Sequence, residues 1–463
     1  MKPSVFLSAV VCATLALPAV ASAQDQLWLR DRRYTVGPGY RAGDFEIHPG
    51  AAAEFGFDSN YLRRSAGDPT SPVLSSLRLR LTPSISVTTL GAQRREDSAQ
   101  RPTVEFKAGA SITYNEFFPI AAPTPSTADT MRAQRNLGAA ADVGLVILPN
   151  RPWSGVVNLS YMRSITPTDQ GAEFTPSAKQ LAFNRNLPRA SAELVWTPGA
   201  GLFEWRLGYS FAGTVFEASD FSNLTNVSNS ITTRGRWRFL PRTSLMYDAS
   251  FGFINYTNAE AASAGGKLSS HPMRARLGLN GLITPSFSIL ALAGWGASFY
   301  KVAPAVPNEN FDSLIGQLEL KWFLSANPTP NATASSSLSS VSLGFVRDFY
   351  DSYIGNYFER DRGYLTFSYF IGGRFLIVVE GGAGPVIYPR SLTRSGVELP
   401  AFTDIRLDAS LFAEYRFKDQ FGVSASVRYN ENINRQSIPV SDGKVDSLSF
   451  RQVETYLGFR WLM

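Results

Sequence analysis

Apolar and polar residues alternate along most of this chain, and the last segment shows the pattern most clearly. This segment, Val453 to Met463, reads VETYLGFRWLM. One set of alternate positions runs from Val453 through Leu457 and Phe459 to Met463 and suits an apolar environment, whereas the positions between are polar or small. Because successive side chains of a strand point to opposite faces, this period of two predicts a β-strand with one apolar and one polar face.

The same alternation recurs upstream. In segment 74–90, for example, Leu77 and Leu79 fall on one face and Arg78 and Arg80 on the other. The pattern predicts strands at about 47–60, 74–90, 103–117, 137–148, 153–166, 189–197, 202–217, 230–239, 243–256, 272–284, 287–302, 313–324, 338–349, 363–371, 374–388, 403–417, 421–433 and 450–463.

Tight turns separate the predicted strands at regular intervals. They recur roughly every 44 residues, the length of one hairpin plus one long loop. Short and long connections alternate, apart from a longer early turn between Gly91 and Pro102. The pattern predicts an all-β, antiparallel up-and-down barrel of about eighteen strands, wide enough to enclose water. The turns lie at about Pro149, Pro198, Pro241, Pro285, Pro328, Gly372 and Asp419.

The N-terminus has the features of an export signal. Lys2 precedes an apolar run that ends at Val20, and Ala21-Ser22-Ala23 follows it. We therefore predict a signal peptide at 1–23, a polar, Gly-interrupted periplasmic lead-in without a strand at 24–44 and a barrel at 45–463. Cleavage would remove the only cysteine, Cys12, so the mature chain would have neither a disulfide nor a cysteine metal site.

Composition places the barrel in a membrane. The chain has 463 residues, with 32 Phe, 18 Tyr and 8 Trp. Its mean hydropathy is −0.08, and no segment after the signal is long and apolar enough for a transmembrane helix. An exported, aromatic-rich chain of alternating strands is typical of the bacterial outer membrane, where closed barrels leave no backbone group unpaired. Both termini are expected in the periplasm.

The sequence contains few residues suited to catalysis or metal binding. His48 and His271 are the only histidines, and His271 next to Ser269 and Ser270 is not evidence of a catalytic triad. We predict that the protein is not an enzyme and has no cofactor, no metal and no nucleic-acid partner. An oxygen-ligand metal site in one outer loop is the alternative that we considered for Asp348, Asp351, Asn356, Glu359 and Asp361.

The predicted inward face is mixed in charge, with a basic surplus. Arg206, Arg234, Arg236 and Arg238 fall inward on the seventh and eighth predicted strands and form a candidate basic ladder on the solute path. The alternative is that these arginines pair with neighbouring carboxylates and stiffen the wall. Further predicted members of the basic lumen lining are Arg274, Arg276, Arg406 and Arg428.

Two segments resemble known outer-membrane proteins. Tyr456, Gly458, Trp461 and Met463 are spaced as in the closing-strand signal by which bacterial outer-membrane barrels are recognised for assembly, although the usual last residue is Phe or Trp. The segment GDFEIHPG from Gly43, followed by FDSN from Phe57, resembles the opening of the β-barrel porins of the second type.

The resemblance implies an outer-membrane barrel. Some members of that family are encoded with exopolysaccharide or capsule machinery, and eighteen-strand members are thought to form the exit when the periplasmic export protein lacks a span of its own. We therefore expect a pore for secreted polysaccharide. Its expected partners are outer-membrane lipid and lipopolysaccharide, the barrel-assembly machinery and a periplasmic polysaccharide export protein. The alternatives are a diffusion porin, which a loop folded into the lumen would favour, and a plugged receptor or scaffold barrel.

Overall fold

The chain forms one closed antiparallel sheet of eighteen long strands. The computed structural model describes residues 39–65, 73–90, 102–121, 124–165, 184–257, 267–301, 309–324, 339–392, 398–434, 438–439, 445–446 and 448–463. The barrel strands are β1 Phe45–Asp58, β2 Ser75–Thr89, β3 Val104–Ala121, β4 Asn136–Ile147, β5 Trp153–Ser164, β6 Arg185–Trp196, β7 Phe203–Phe216, β8 Asn226–Leu240, β9 Thr243–Tyr256, β10 Ser270–Thr284, β11 Phe287–Tyr300, β12 Phe311–Phe323, β13 Ser340–Asp351, β14 Tyr357–Ile371, β15 Phe375–Tyr388, β16 Phe402–Lys418, β17 Phe421–Ile433 and β18 Phe450–Leu462.

The last strand closes the barrel against the first. Strands β1 and β18 pair in antiparallel register from Gly50 opposite Leu462 to Asp58 opposite Glu454. The predictions of about eighteen strands and of this closure are confirmed. At Gly56 there is no room for a Cβ atom, because the carbonyl oxygen of Thr455 and the ring of Tyr456 on the paired strand occupy that space. Closure leaves no unpaired sheet edge, which a barrel in lipid requires.

Side chains alternate between a lumen face and an outer face. On β10, Leu277 and Leu279 are 55% and 43% exposed on the outer face. Arg276, which directly precedes Leu277, forms an inward ion pair with Asp248 of β9. On β16, Leu411 is exposed and Arg406 is buried. These positions agree with the register predicted from the sequence.

The two ends of the barrel differ in their connections. We call one end the turn end; there β8 and β9 are joined by 241–242, β10 and β11 by 285–286, and β16 and β17 by 419–420. We call the other end the loop end, where most connections are longer, as between β1 and β2 or between β15 and β16. The C-terminal strand finishes at the turn end, where the Met463 backbone N–H donates to Pro49 O at 3.0 Å.

Aromatic rings cover the outer face near the turn end. Trp153 and Trp196, on paired strands, stack with ring centroids 5.6 Å apart. Phe417, Phe421 and Phe459 form a second group, with centroids 5.9 to 6.4 Å apart. Aromatic rings at this level, with exposed leucines between the two ends, form an apolar band suited to a bilayer and its interface.

Several local elements differ from the sequence prediction, and strands β6 and β8 each begin four residues earlier than predicted. Strand β14 begins at Tyr357 rather than Gly363, because Arg360 and Arg362 of its charged start bind Asp408 inside the barrel. The helix α1, Pro125–Arg132, was not predicted; Thr124 caps it and Pro125 begins it. The lead-in, predicted to lack a strand, contains Tyr40–Ala42, which pairs with β1.

No helix in the described ranges is long and apolar enough to cross a membrane. The predicted signal peptide at 1–23 and most of the lead-in at 24–44 lie outside the described residues.

Candidate solute pathway through the barrel

The lumen face is buried on one side of the barrel. We call the inward face of β16, β17, β18, β1 and β2 the seam wall. On it, Glu54, Arg80 and Tyr456 are all less than a tenth exposed. The guanidinium of Arg80 lies 3.7 Å from the Tyr456 ring centroid, and Arg78 donates to Asp58 at 3.1 Å. This side of the lumen is therefore filled by interlocking charged and aromatic side chains.

The first loop covers the seam wall near the loop end. Tyr61 and Leu62 of this loop pack with Leu74, Phe117 and Met131 in a buried apolar cluster. The Tyr61 hydroxyl donates to the backbone O of Ile165, which follows β5, at 2.8 Å. Burial raises the pKa of Tyr61 to about 12, so this phenol stays a neutral donor at ordinary pH.

A second segment crosses the loop end. We call Ser352–Asn356, between β13 and β14, the crossing loop. The ring of Tyr353 lies edge-on to Phe216 at the end of β7, with centroids 6.0 Å apart. Because β7 is six strands away from β13 around the wall, this contact requires the crossing loop to pass over part of the opening.

Polar contacts hold the crossing loop in place. The ammonium of Lys267 donates to the backbone oxygens of Ser352 and Gly355. Asn356 donates through its side-chain amide to Glu309 O at 3.0 Å, and the Glu309 carboxylate accepts from Arg390. The crossing loop is thus bonded to the segments that precede β10 and β12, and through Glu309 to the segment that follows β15.

Apolar contacts add to these bonds. Ile354 of the crossing loop is 2% exposed and packs into a cluster at the loop end. The other buried members of this cluster are Phe358, Val386, Tyr388, Leu399, Phe402 and Leu448. The crossing loop is therefore a segment on which several of the described loops of the loop end converge.

The predicted basic ladder is largely neutralised. Arg206 binds Glu204 at 2.6 Å and Glu193 at 3.2 Å. Arg234 binds Glu193, and Arg236 binds Glu204 at 2.8 Å. Three arginines and two glutamates thus form one inward network on β6, β7 and β8, with a small surplus of positive charge.

Arg238 differs from the other ladder arginines. It lies nearest the turn end, and within the described ranges its side chain has no carboxylate partner. The ladder thus combines the two interpretations of the sequence: most of it stiffens the wall, and one guanidinium remains available to a solute.

Two of the other four predicted basic residues also bind carboxylates. Arg274 binds Asp348 at 2.9 Å, and Arg276 binds Asp248 at 2.8 Å. Arg406 is buried on the seam wall, and Arg428 lies opposite Glu454 in the β17–β18 register. These four arginines are therefore distributed around the lumen rather than assembled with the ladder.

The lumen face is open along β5 to β8, which we call the open wall. Asn158 and Ser160 of β5 and Arg189 of β6 face inward and are exposed, unlike their counterparts on the seam wall. The sequence prediction did not single out these residues. The available signal was the small polar type at alternate positions, at Asn158 and Ser160 and again at Ser228 and Ser230.

The residues of the oxygen-ligand metal site, which the sequence offered as an alternative, are paired with cations or used in hydrogen bonds. Asp348 binds Arg274, and Arg347 binds Glu359 at 2.6 Å and Asp361 at 3.1 Å. Four of the five residues lie in β13 and β14 rather than in an outer loop. Among the described residues, no group of three or more His, Cys, Asp and Glu side chains could hold a metal.

The residues around His271 are arranged for packing. Its ring lies edge-on to Phe253, with centroids 5.3 Å apart. Ser269 Oγ accepts from the Tyr256 backbone N–H at 3.2 Å, so neither group is directed at the other as nucleophile and base.

The residues of the closing signal occupy different faces of β18. Tyr456 faces the lumen and is 5% exposed. A Cβ atom at Gly458 would lie 2.7 Å from Ser424 Oγ and 3.2 Å from Glu54 Cγ, so the glycine permits close packing at the seam. Trp461 pairs with Ala51 and Phe421 on the two neighbouring strands. The role of these residues in assembly stays a prediction.

Comparison with known proteins gives only distant similarity. No family model matches the chain. No curated protein matches it either. Among solved structures, OccK9 (OpdG) of Pseudomonas aeruginosa is similar at 9% identity over 91% of this chain and 99% of that chain, with a TM-score of 0.45.

Two further solved structures are similar at comparably low identity. A BenF-like porin of Pseudomonas fluorescens Pf-5 is similar at 8% identity over 91% and 99% of the two chains, with a TM-score of 0.44. A bacterial polysaccharide outer membrane secretin is similar at 9% identity over 89% and 98%, with a TM-score of 0.32. At these identities and TM-scores, the similarities add nothing to the barrel fold that the strand pairing itself establishes.

Proposed function

We propose that this protein is an outer-membrane pore for the diffusion of small polar solutes. The observation that carries the proposal is the crossing loop, which narrows the loop end while the open wall remains accessible to water. A barrel of this strand number is too wide for its side chains to fill. A loop folded across such an opening sets a size limit for solutes, whereas the outer apolar band matches a bilayer.

The proposed orientation places the turn end in the periplasm. Outer-membrane barrels have short periplasmic turns and longer external loops. In this orientation the crossing loop lies at the external mouth, and the C-terminal strand ends on the periplasmic side, where the assembly machinery would meet it.

The charges of the open wall favour small anions weakly. The carboxylates of Glu193 and Glu204 are bound by ladder arginines, while Arg189 and Arg238 have no carboxylate partner among the described residues. A surplus of positive charge in a water-filled path concentrates anions. Since carboxylates are also present, a preference is expected rather than strict selection.

The second candidate is the export of an anionic polysaccharide. Arg189 and Arg238 on the open wall support it, since guanidinium groups bind carboxylates with paired donors. The crossing loop counts against it, because a polymer needs an exit that its whole length can pass.

Conductance in planar bilayers tests the first proposal. The purified barrel should give stable ion channels and should admit small sugars into vesicles but exclude long oligosaccharides. A barrel that inserts and does not conduct would instead be a plugged receptor or scaffold. For the second candidate, loss of surface polysaccharide on deletion, restored by the wild-type chain, would favour export over diffusion.

A further inference from the structure

A row of small polar side chains lines the middle of the open wall. Asn158 lies opposite Ser191, Ser191 opposite Ser210, and Ser210 opposite Ser230, so one register row crosses four strands. Inward neighbours on adjacent strands have Cβ atoms about 4.5 to 5.5 Å apart, so their polar groups form a continuous surface. We call this surface, together with its flanking serines, the hydroxyl belt; its members are Asn158, Ser160, Ser191, Ser210, Ser228 and Ser230.

Most of the hydroxyl belt is available to a solute. Ser210 and Ser230 share a hydrogen bond at 2.7 Å. Among the described residues, the side chains of the other four members have no hydrogen-bond partner. Serine hydroxyls can donate and accept, so the belt can exchange hydrogen bonds with solute hydroxyl groups in either sense. Its small side chains also leave more room than the arginine and aromatic side chains of the seam wall.

One exposed cation adjoins the belt. Arg189 lies opposite Ser160 on β5 and opposite Ala212 on β7. Its side chain is exposed, and within the described ranges it has no carboxylate partner. The nearest inward carboxylate of its own strand, Glu193, is bound by Arg206 and Arg234. Among the described residues, the belt therefore presents several hydroxyls without a hydrogen-bond partner and one guanidinium without a carboxylate partner.

We propose that the hydroxyl belt and Arg189 form a binding site for polyhydroxylated carboxylates, the class of sugar acids. The guanidinium binds the carboxylate through two parallel N–H donors. The serines and Asn158 bind the solute hydroxyls, replacing the water that each group would otherwise hold. A simple fatty acid satisfies only the first of these contacts, and a neutral polyol only the second. This inference rests on the proposed pore function and names its solute class.

Block of single-channel chloride current tests the site. The probes are three six-carbon solutes: gluconate, hexanoate and sorbitol. Gluconate should reduce the current at lower concentration than either of the other two. In Arg189→Gln, the half-blocking concentration for gluconate should rise about tenfold, the loss expected for a charged hydrogen-bonded pair. In the double variant Ser160→Ala and Ser191→Ala, the half-blocking concentration for gluconate should rise by a smaller factor. The weak block by hexanoate should not change in this variant.

Matched variants separate a local effect from a change of net charge. Lys321→Gln removes one inward cation from β12, where the ammonium lies 5.4 Å from the Phe323 ring centroid; it should leave gluconate block unchanged. Arg189→Lys keeps the charge and loses the paired donors, so it should weaken block less than Arg189→Gln. The belt is not a binding site if wild-type channels conduct but gluconate blocks them no better than hexanoate does. The same conclusion follows if gluconate blocks Arg189→Gln channels at the same concentration as wild-type channels. Absence of any channel would instead overturn the pore itself.

Discussion

The ring of Tyr353 packs edge-on against Phe216, with centroids 6.0 Å apart, although Tyr353 follows β13, which is six strands away from β7 around the barrel wall. This pair shows that the crossing loop reaches the far part of the opening. Tyr353 also joins the apolar group formed by Phe216, Phe221 and Leu224, so the contact is part of a packed cluster. Its position explains how a wide barrel has a restricted loop end.

Lys267 should govern how firmly the crossing loop is held. The change Lys267→Met keeps the volume and removes the donors to Ser352 O and Gly355 O. Hydrogen bonds from a charged group contribute about 1.5 to 3 kcal/mol, so the loop should open about tenfold more often. Open-channel current noise should increase in planar bilayers. Lys301→Met, at an exposed lysine just after β11, is the control, and equal noise in both variants would contradict the assignment.

The outer face should tolerate charge poorly at mid-membrane. Leu277→Arg places a cation at the centre of β10 on the lipid side, where Leu277 is 55% exposed. The free energy of unfolding in lipid should fall by roughly 2 to 4 kcal/mol. Asn280→Arg, on the lumen face of the same strand, should lower the free energy of unfolding much less. A similar loss for both variants in denaturant titrations would show that the two faces are not distinguished by lipid.

Two single-charge changes should move ion preference in opposite directions. Glu193→Gln leaves Arg206 and Arg234 without one of their carboxylate partners and should increase the preference for chloride. Arg238→Gln removes a cation without a carboxylate partner among the described residues and should decrease it. Reversal potentials under a salt gradient measure both changes. Shifts of the same sign would mean that the path does not run along the open wall.

The buried phenol of Tyr61 should make docking of the first loop depend on pH at alkaline values. The pKa of Tyr61 is about 12 in the folded protein, above the ordinary value of about 10 for a free phenol. The unfolded loop therefore loses its proton first, and the stability from the buried neutral phenol is complete below about pH 10 and lost as pH rises toward 12. Difference titration of phenolate absorbance between wild type and Tyr61→Phe should show this late ionisation. A Tyr61 signal already complete near pH 10 would mean that the loop is not docked.

The barrel could be predicted because its main signal is local. A period of two fixes which residues of β10 and β18 face outward, and tight turns such as Pro241 separate the strands. The ladder shows the limit of such reasoning. That Arg206, Arg234 and Arg236 face inward follows from alternation, but their pairing with Glu193 and Glu204 depends on the register between strands.

The crossing loop could not be found from periodicity. Its sequence, SYIGN from Ser352, resembles an ordinary polar connection. Tyr353 and Ile354 were the only unusual feature, because apolar side chains in an exposed loop need a surface to cover. The partners of these residues, Phe216 and Leu448 among them, are far away in sequence. Nor could the open wall be found without knowing which loops cover the lumen.

The most direct test of the account is the conductance of a barrel whose crossing loop is shortened. Replacing Ser352–Asn356 by two glycines keeps β13 and β14 joined and removes Tyr353 and Ile354 from the opening. The pore account predicts that the variant folds, conducts more than wild type and admits larger sugars into vesicles. Conductance and sugar cut-off equal to those of wild type, in a correctly folded variant, would contradict it.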